Sequence, residues 1–145
     1  MFRKSILVLL LFLMTFSISL FLDLSHSQAA ITQEKTIVYY FHGNMRCRTC
    51  NKIETYTKEA INAGFAGELT DGLLEIRIIN TDKSENEHFI KDFQLTNRAV
   101  VLVRSRGGQP EKWKNLDRIW LLVRKKEAFQ SYINDEIQLF MAVDE

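Results

Sequence analysis

The feature that most constrains the fold is a run of β-branched and aromatic residues without polar alternation, Ile37-Val38-Tyr39-Tyr40-Phe41. A strand with one face in water alternates apolar and polar residues, whereas a strand covered on both faces stays apolar throughout. The run therefore predicts an interior strand of a sheet that is covered on both sides. His42-Gly43-Asn44 follows it and predicts a turn.

A helix is predicted after that turn. Its apolar residues recur on one helical stripe: Ile53, Tyr56, Ala60 and Ile61. Glu54 and Lys58 form an i,i+4 pair outside the stripe. Gly64 and Gly67 predict the end of the helix and the start of a loop.

Three more strands are predicted beyond this helix. Leu73–Asn80 alternates apolar and charged residues, and Ala99–Val103 is apolar throughout. Arg106-Gly107-Gly108 predicts a tight turn into a fourth strand, Pro110–Lys114, whose proline suits a strand start or an edge. Between the second and third strands, Ser84 with Glu87 matches a capping box and predicts a short helix.

The C-terminal region is predicted to be helical, with Asp117 as its cap and a break near Lys125. The whole order is strand, helix, strand, helix, strand, strand, helix. Strands separated by helices pair in parallel, whereas the Gly-Gly turn makes the last pair an antiparallel hairpin. The sequence therefore predicts an α/β fold, with a mixed four-stranded sheet (βαβαββα) flanked by helices.

The N-terminus resembles an export signal. Arg3 and Lys4 precede an uncharged apolar stretch, Ile6–Leu22, and small residues two apart follow at Ser27-Gln28-Ala29. This pattern predicts a secretory signal over residues 1–29 and a domain over residues 30–145. The stretch is also just long enough to stay in the membrane as an anchor. In either case we expect an exported, periplasmic or extracytoplasmic domain, and residues 6–22 would tether it if they remain.

Charge argues against nucleic acid as a partner. The chain has 145 residues and a formal net charge of +1, and the first 29 residues hold two of its bases and one of its acids. The remainder is therefore neutral, and its longest basic run is Arg124-Lys125-Lys126. A nucleic-acid-binding domain is expected to show a basic excess.

The chemistry of the chain is expected at its two cysteines, Cys47 and Cys50. They lie where the interior strand gives way to a helix, whose first turn and dipole stabilise negative charge. Arg46 and Arg48 flank Cys47 and act in the same direction, so Cys47 is predicted to attack and Cys50 to resolve a mixed disulfide. His42 is a further candidate for tuning the thiol, or else an ordinary turn histidine.

Other uses of these residues stay open. A bridge closing so short a loop adds little stability, which disfavours a purely structural disulfide. Met45-x-Cys47-x-x-Cys50 also resembles the soft-metal loop of small metal-chaperone domains, so a metal or metalloid carrier is one alternative. A redox-inert interaction domain is another. Trp113 and Trp120 could line a groove for a partner, but core packing is the expected role for large aromatics at regular spacing.

These features together resemble the thioredoxin-like superfamily over roughly residues 36–140. More narrowly, the segments Tyr39–Asn44 and Arg46–Glu54 are similar to small exported proteins labelled ArsF-type nitrophenyl compound nitroreductase subunits. The resemblance implies a thiol-based auxiliary subunit that acts on client protein thiols or disulfides and works with a membrane thiol-reductant transporter. A nitroreductase needs an electron-carrying cofactor such as flavin, and because no site for one is recognisable, no cofactor is predicted.

The chain departs from ordinary thioredoxins at two positions. Ala99 stands where those proteins carry a cis-proline facing the cysteines, and a trans bond is expected there because a non-proline cis bond is costly. Phe41 stands where they carry a buried acid. The resulting prediction is an exported thiol–disulfide oxidoreductase with an altered substrate groove and without that acid as a proton carrier.

Overall fold

The computed structural model describes residues 34–142. The strands are β1 (Glu34–His42), β2 (Leu74–Asn80), β3 (Ala99–Arg106) and β4 (Gln109–Asn115). The α-helices are α1 (Arg48–Gly64), α2 (Ala66–Thr70), α3 (His88–Asp92), α4 (Ile119–Leu122) and α5 (Lys126–Ala142). A 3-10 turn, Ser84–Asn86, precedes α3.

The four strands form one mixed sheet in the order β2-β1-β3-β4. β1 pairs in parallel with β2 and antiparallel with β3, and β3 and β4 form an antiparallel hairpin. The interior position predicted for β1 is confirmed, and Pro110 lies on the edge strand as its lack of an N–H requires. The predicted α/β fold, a mixed four-stranded sheet flanked by helices, is confirmed, and α1 lies in the crossover from β1 to β2.

One face of the sheet carries the larger core. Alternate residues of β1 and β3, including Val38 and Leu102, point toward α1 and α5 on this face. Ile61 of α1 and Ile133 of α5 are fully buried between them. The apolar stripe predicted for α1 therefore packs as expected, with Tyr56 at its half-buried margin.

The other residues of β1 and β3 form a second, smaller cluster on the opposite face. Tyr39 and Phe41 stack there with ring centroids 5.2 Å apart, and Phe93 lies 5.6 Å from Phe41. The cover on this face comes from the five-residue helix α3 and the chain that follows it. We refer to these as the covered face, under α1 and α5, and the thin face, under α3.

Two helix caps differ from expectation. Ser84 starts a 3-10 turn whose cap is Lys83 and makes no side-chain cap bond, so the predicted capping box does not form. Asp117 does not cap the C-terminal helix, because α4 begins after Arg118 without a side-chain cap bond. The predicted break near Lys125 is confirmed, since α4 ends at Leu122 and α5 begins at Lys126.

The predicted signal over residues 1–29 and the apolar stretch Ile6–Leu22 lie outside the described residues. Within residues 34–142, no helix has the length and apolar character needed to cross a bilayer.

Candidate functional site

The two cysteines meet at the N-terminus of α1. Cys47 is exposed and caps the helix, whereas Cys50 lies one turn in and has no solvent exposure. Their sulfurs form a disulfide, with the Cα atoms 5.0 Å apart. One sulfur is thus open to a partner, and the other is held in the interior.

One backbone amide at the start of α1 donates to the exposed sulfur. The N–H of Cys50 donates to Cys47 Sγ at 3.1 Å. The N–H groups in the first turn of a helix have no intrahelical acceptor, and the first turn of α1 contains no acidic residue that would compete for them. The site therefore favours a thiolate at Cys47 once the disulfide is reduced.

Arg46 joins two of the site residues predicted from the sequence. Its guanidinium pairs with Glu54 of α1, and its Nη1 donates to His42 Nε2 at 3.4 Å. The His42 Nδ1–H in turn donates to the Gly43 carbonyl at 2.9 Å. His42 thus contacts the Arg46 guanidinium and the Gly43 carbonyl of the turn, and this arrangement is consistent with the role of a turn histidine.

Glu54 was seen in the sequence only as the partner of Lys58. In the structure it accepts hydrogen bonds from both Arg46 and Lys58, the latter at 2.7 Å. Burial alone would raise the pKa of Glu54, but the hydrogen bond from Lys58 and the nearby positive charges outweigh it and lower that pKa. A single carboxylate therefore stays ionised between two cations.

Arg48 and Met45 both face solvent. Arg48 lies between the cysteines, and the structure gives its guanidinium no partner among residues 34–142. Met45 is 79% exposed on the loop before Cys47. No cluster of three or more metal-binding His, Cys, Asp or Glu side chains occurs in the described part of the chain.

The sequence did not identify Tyr40 as part of the site. Its hydroxyl donates to the carbonyl of Cys50 at 2.8 Å in the buried interior, which ties β1 to the first turn of α1. Desolvation by burial is the main cause that raises the pKa of Tyr40 to about 12. A buried tyrosine hydroxyl usually needs a hydrogen-bond partner. From the sequence alone, that rule would have indicated only that a tyrosine on the interior strand bonds to something nearby.

Tyr40 lies beside Phe41, the residue that the sequence comparison placed at the position of a buried acid. Phe41 points to the thin face, away from α1. The β1 side chain that hydrogen-bonds to Cys50 is therefore a phenol that stays protonated at neutral pH.

Arg98 was also missed. It precedes Ala99 at the start of β3, and its Nη2 donates to the Met45 carbonyl at 3.0 Å, fixing the loop before Cys47. Trp120 Nε1 donates to the Arg98 carbonyl at 3.2 Å. The described residues contain no cis peptide bond, so the trans geometry expected at Ala99 is confirmed. Trp120 itself is 36% exposed, and its assignment to the core was wrong, as was that of Trp113 at 37%.

No protein-family model matches the sequence, and no curated protein matches it. Among solved structures, oxidised mitochondrial thioredoxin 3 from Saccharomyces cerevisiae is 17% identical, with 77% of this chain and 89% of that chain covered and a TM-score of 0.42. Thioredoxin from Trypanosoma brucei brucei is 12% identical, with coverage of 74% and 80% and a TM-score of 0.41. A malaria parasite thioredoxin-2 is 14% identical, with coverage of 64% and 84% and a TM-score of 0.38.

Proposed function

We propose that this protein is a thiol–disulfide oxidoreductase that uses Cys47 and Cys50. The observation that carries the proposal is the asymmetry of the pair, since Cys47 is exposed at a helix N-terminus and Cys50 is fully buried one turn in. A structural bridge needs no exposed sulfur, whereas an exchange catalyst needs one that a partner can reach.

The reduced protein would react in two displacements. The Cys47 thiolate attacks one sulfur of a client disulfide, and the other client sulfur leaves as a thiolate. The Cys50 thiolate then attacks Cys47 Sγ, which re-forms the Cys47–Cys50 disulfide and releases the second client thiolate. Two electrons pass from the protein to the client, and the same steps reversed oxidise a client dithiol.

The residues around the pair have positioning roles in this proposal. The Cys50 N–H and the flanking cations, Arg46 and Arg48, stabilise the Cys47 thiolate. The hydroxyl of Tyr40 holds the Cys50 backbone in place, and Arg98 holds the loop at Met45.

The proposal includes a site of action outside the cytoplasm. The basic start, the apolar stretch Ile6–Leu22 and the small residues up to Ala29 support export. Client protein thiols are the expected partners there, and a membrane thiol-reductant transporter would return electrons to the oxidised pair. Cell fractionation, with the mass of the recovered chain, tests both export and cleavage near Ala29.

The redox equilibrium of the pair is the first test of the activity. The full-length protein is equilibrated with glutathione or dithiothreitol buffers, and its thiols are counted by the mass added on alkylation. We expect a reversible midpoint between about −270 and −120 mV, the range of known exchange proteins. A midpoint below about −300 mV would indicate a structural bridge.

Trapping tests the roles of the two cysteines. In Cys50→Ser, the mixed disulfide formed at Cys47 has no resolving thiol, so reducible adducts with client proteins should accumulate. The matched control is Cys47→Ser, which leaves only the buried sulfur and should trap far less. Equal trapping by both variants contradicts the assigned roles, and tight Cu(I) binding without any adduct favours the metal carrier instead.

A further inference from the structure

We propose that the pair exchanges preferentially with thiols and disulfides that carry negative charge beside the reacting sulfur. The inference rests on the proposed oxidoreductase function and adds the class of client. It follows from three arginines near Cys47. Arg46 and Arg48 flank it in the sequence, and Arg98 bonds to the carbonyl of Met45, two residues before it. Within the described residues, only Arg46 of the three has an acidic partner, Glu54.

Arg48 contributes an unpaired positive charge. It lies between the cysteines on the exposed side of the helix start, and its guanidinium makes no hydrogen bond or ion pair within residues 34–142. A client bound to Cys47 Sγ must pass close to this side chain, because Arg48 directly follows Cys47 in the sequence and is exposed. An acidic group on the client would therefore find an unpaired guanidinium beside the reacting sulfur.

Arg98 contributes a second positive charge that is not neutralised. Its hydrogen bond goes to the Met45 carbonyl, an uncharged acceptor, and within residues 34–142 its Nε has no hydrogen-bond partner. The bond to Met45 places Arg98 against the loop that precedes Cys47, whereas Arg48 follows Cys47 in the sequence. Cations from two separate segments thus lie at the loop and the helix start that carry Cys47.

The local acids do not offset these charges. Glu54 is shared between Arg46 and Lys58, so that group of three keeps a net positive charge. Asp82 accepts the Asn44 N–H at 2.7 Å and lies at the turn after β1. With no acid in the first turn of α1, the surface around Cys47 is cationic.

A cationic surface raises the encounter rate of anionic partners and lowers that of cationic ones, and salt screens both effects. The attraction acts on the first displacement, in which the Cys47 thiolate attacks the client disulfide and expels one thiolate. It adds to the reactivity that the cations give the sulfur itself. The two effects are separable, because only the attraction depends on the charge of the client.

The experiment uses the reduced full-length protein and a set of disulfides that differ mainly in charge: dithiodipropionate, its neutral bis-amide, and cystamine, which is cationic. Each rate is divided by the rate of the same probe with dithiothreitol, a neutral thiol. At about 0.01 M salt we expect the anionic probe to react about tenfold faster than the cationic one. Near 1 M salt, where the Debye length is about 3 Å, the ratio should approach one.

Variants then assign the preference to named residues. Arg48→Gln and Arg98→Gln should each lower the anion-to-cation ratio severalfold, and Arg48→Lys should keep it. The matched control is Lys112→Gln on β4, which pairs in register with Arg104, toward the end of the sheet away from the cysteines. Taking a ratio cancels any change that a variant makes in the reactivity of Cys47 itself.

The outcomes separate the two proposals. Exchange with all three probes at equal normalised rates would overturn the charge preference and leave the oxidoreductase proposal standing. If Lys112→Gln lowers the anion-to-cation rate ratio as much as Arg48→Gln does, the preference does not arise at the cysteine site and that assignment is overturned. No exchange with any probe would overturn the oxidoreductase proposal, and the charge preference with it.

Discussion

The two faces of the sheet are covered to very different depths. The covered face lies under α1 and α5, two helices of 17 residues each, and its central side chains have almost no solvent exposure. The thin face lies under the five-residue helix α3 and retains a cavity of about 760 Å³. Aromatic rings line that cavity, among them Tyr39, Phe89, Phe93 and Trp113.

This difference explains where the reactive pair is placed. Cys50 belongs to the covered face, where the deep core and the bond from Tyr40 hold α1 against β1. The thin face instead uses polar contacts at its margin, where Glu75 accepts hydrogen bonds from Lys35 and Arg77. A fixed buried sulfur needs a rigid support, and the covered face supplies it.

The largest expected change in the free energy of unfolding comes from removing one aromatic ring from each face of the sheet. Phe129 is fully buried on the covered face, so Phe129→Ala should lower the free energy of unfolding by about 3–5 kcal/mol. Phe89 is half-buried on the thin face, and Phe89→Ala should cost about half as much because less apolar area is lost. Urea denaturation of both variants measures the difference, and equal losses would show that the faces are equally supported.

The next effect is specific to the phenol under the cysteine helix. The pKa of Tyr40 is raised to about 12 in the folded state, so this phenol ionises at a lower pH in the unfolded chain than in the folded one. Its ionisation therefore stabilises the unfolded chain relative to the folded protein. That contribution to stability is complete below pH 10 and should be lost between about pH 10 and 12, by roughly 2 kcal/mol. Denaturation across this range should show a loss in the wild-type protein that is clearly smaller in Tyr40→Phe, where only the raised pKa of the buried Tyr132 still contributes.

Tyr56→Phe is the matched control for this measurement, since Tyr56 lies at the half-buried margin of the same core. It should retain the alkaline loss of the wild-type protein. If Tyr40→Phe loses stability above pH 10 as steeply as the wild type does, burial of this hydroxyl is not the cause. At neutral pH we expect Tyr40→Phe to cost about 1 kcal/mol for the missing hydrogen bond.

Periodicity predicted the fold well because the covered face has a strong pattern. The stripe on α1 repeats with the helical period, and the run Ile37–Phe41 is apolar throughout because both faces of β1 are buried. The predictions that failed were local. Ser84 and Asp117 are acceptable caps in isolation, but the chain enters both helices in a different geometry.

The site was predicted only in part, because sequence spacing shows neighbours along one element and not across elements. Cys47, Cys50, Arg46 and Arg48 lie on one short segment and were all identified. Arg98 reaches that segment from 53 positions along the chain. No pattern along the chain indicates that contact, which depends on the pairing of β3 with β1.

The smallest change in the free energy of unfolding is expected from substituting Glu75 at the polar margin of the thin face. The hydrogen bond from Arg77 is the largest cause that lowers the pKa of Glu75 in the folded state. Stability from this depressed pKa is present above the unfolded value, about 4.3, and is lost as the pH falls through the folded one. Since the side chain of Glu75 is 35% exposed, Glu75→Gln should cost at most about 1 kcal/mol at neutral pH and nothing near pH 2.

The matched control is Glu85→Gln, which removes the same charge from an exposed residue of the 3-10 turn. It should change the free energy of unfolding by less than about 0.5 kcal/mol at either pH. If Glu75→Gln instead costs as much as Phe89→Ala, then ion pairing rather than apolar packing supports the thin face. The contrast between the two faces would then be one of chemistry and not only of depth.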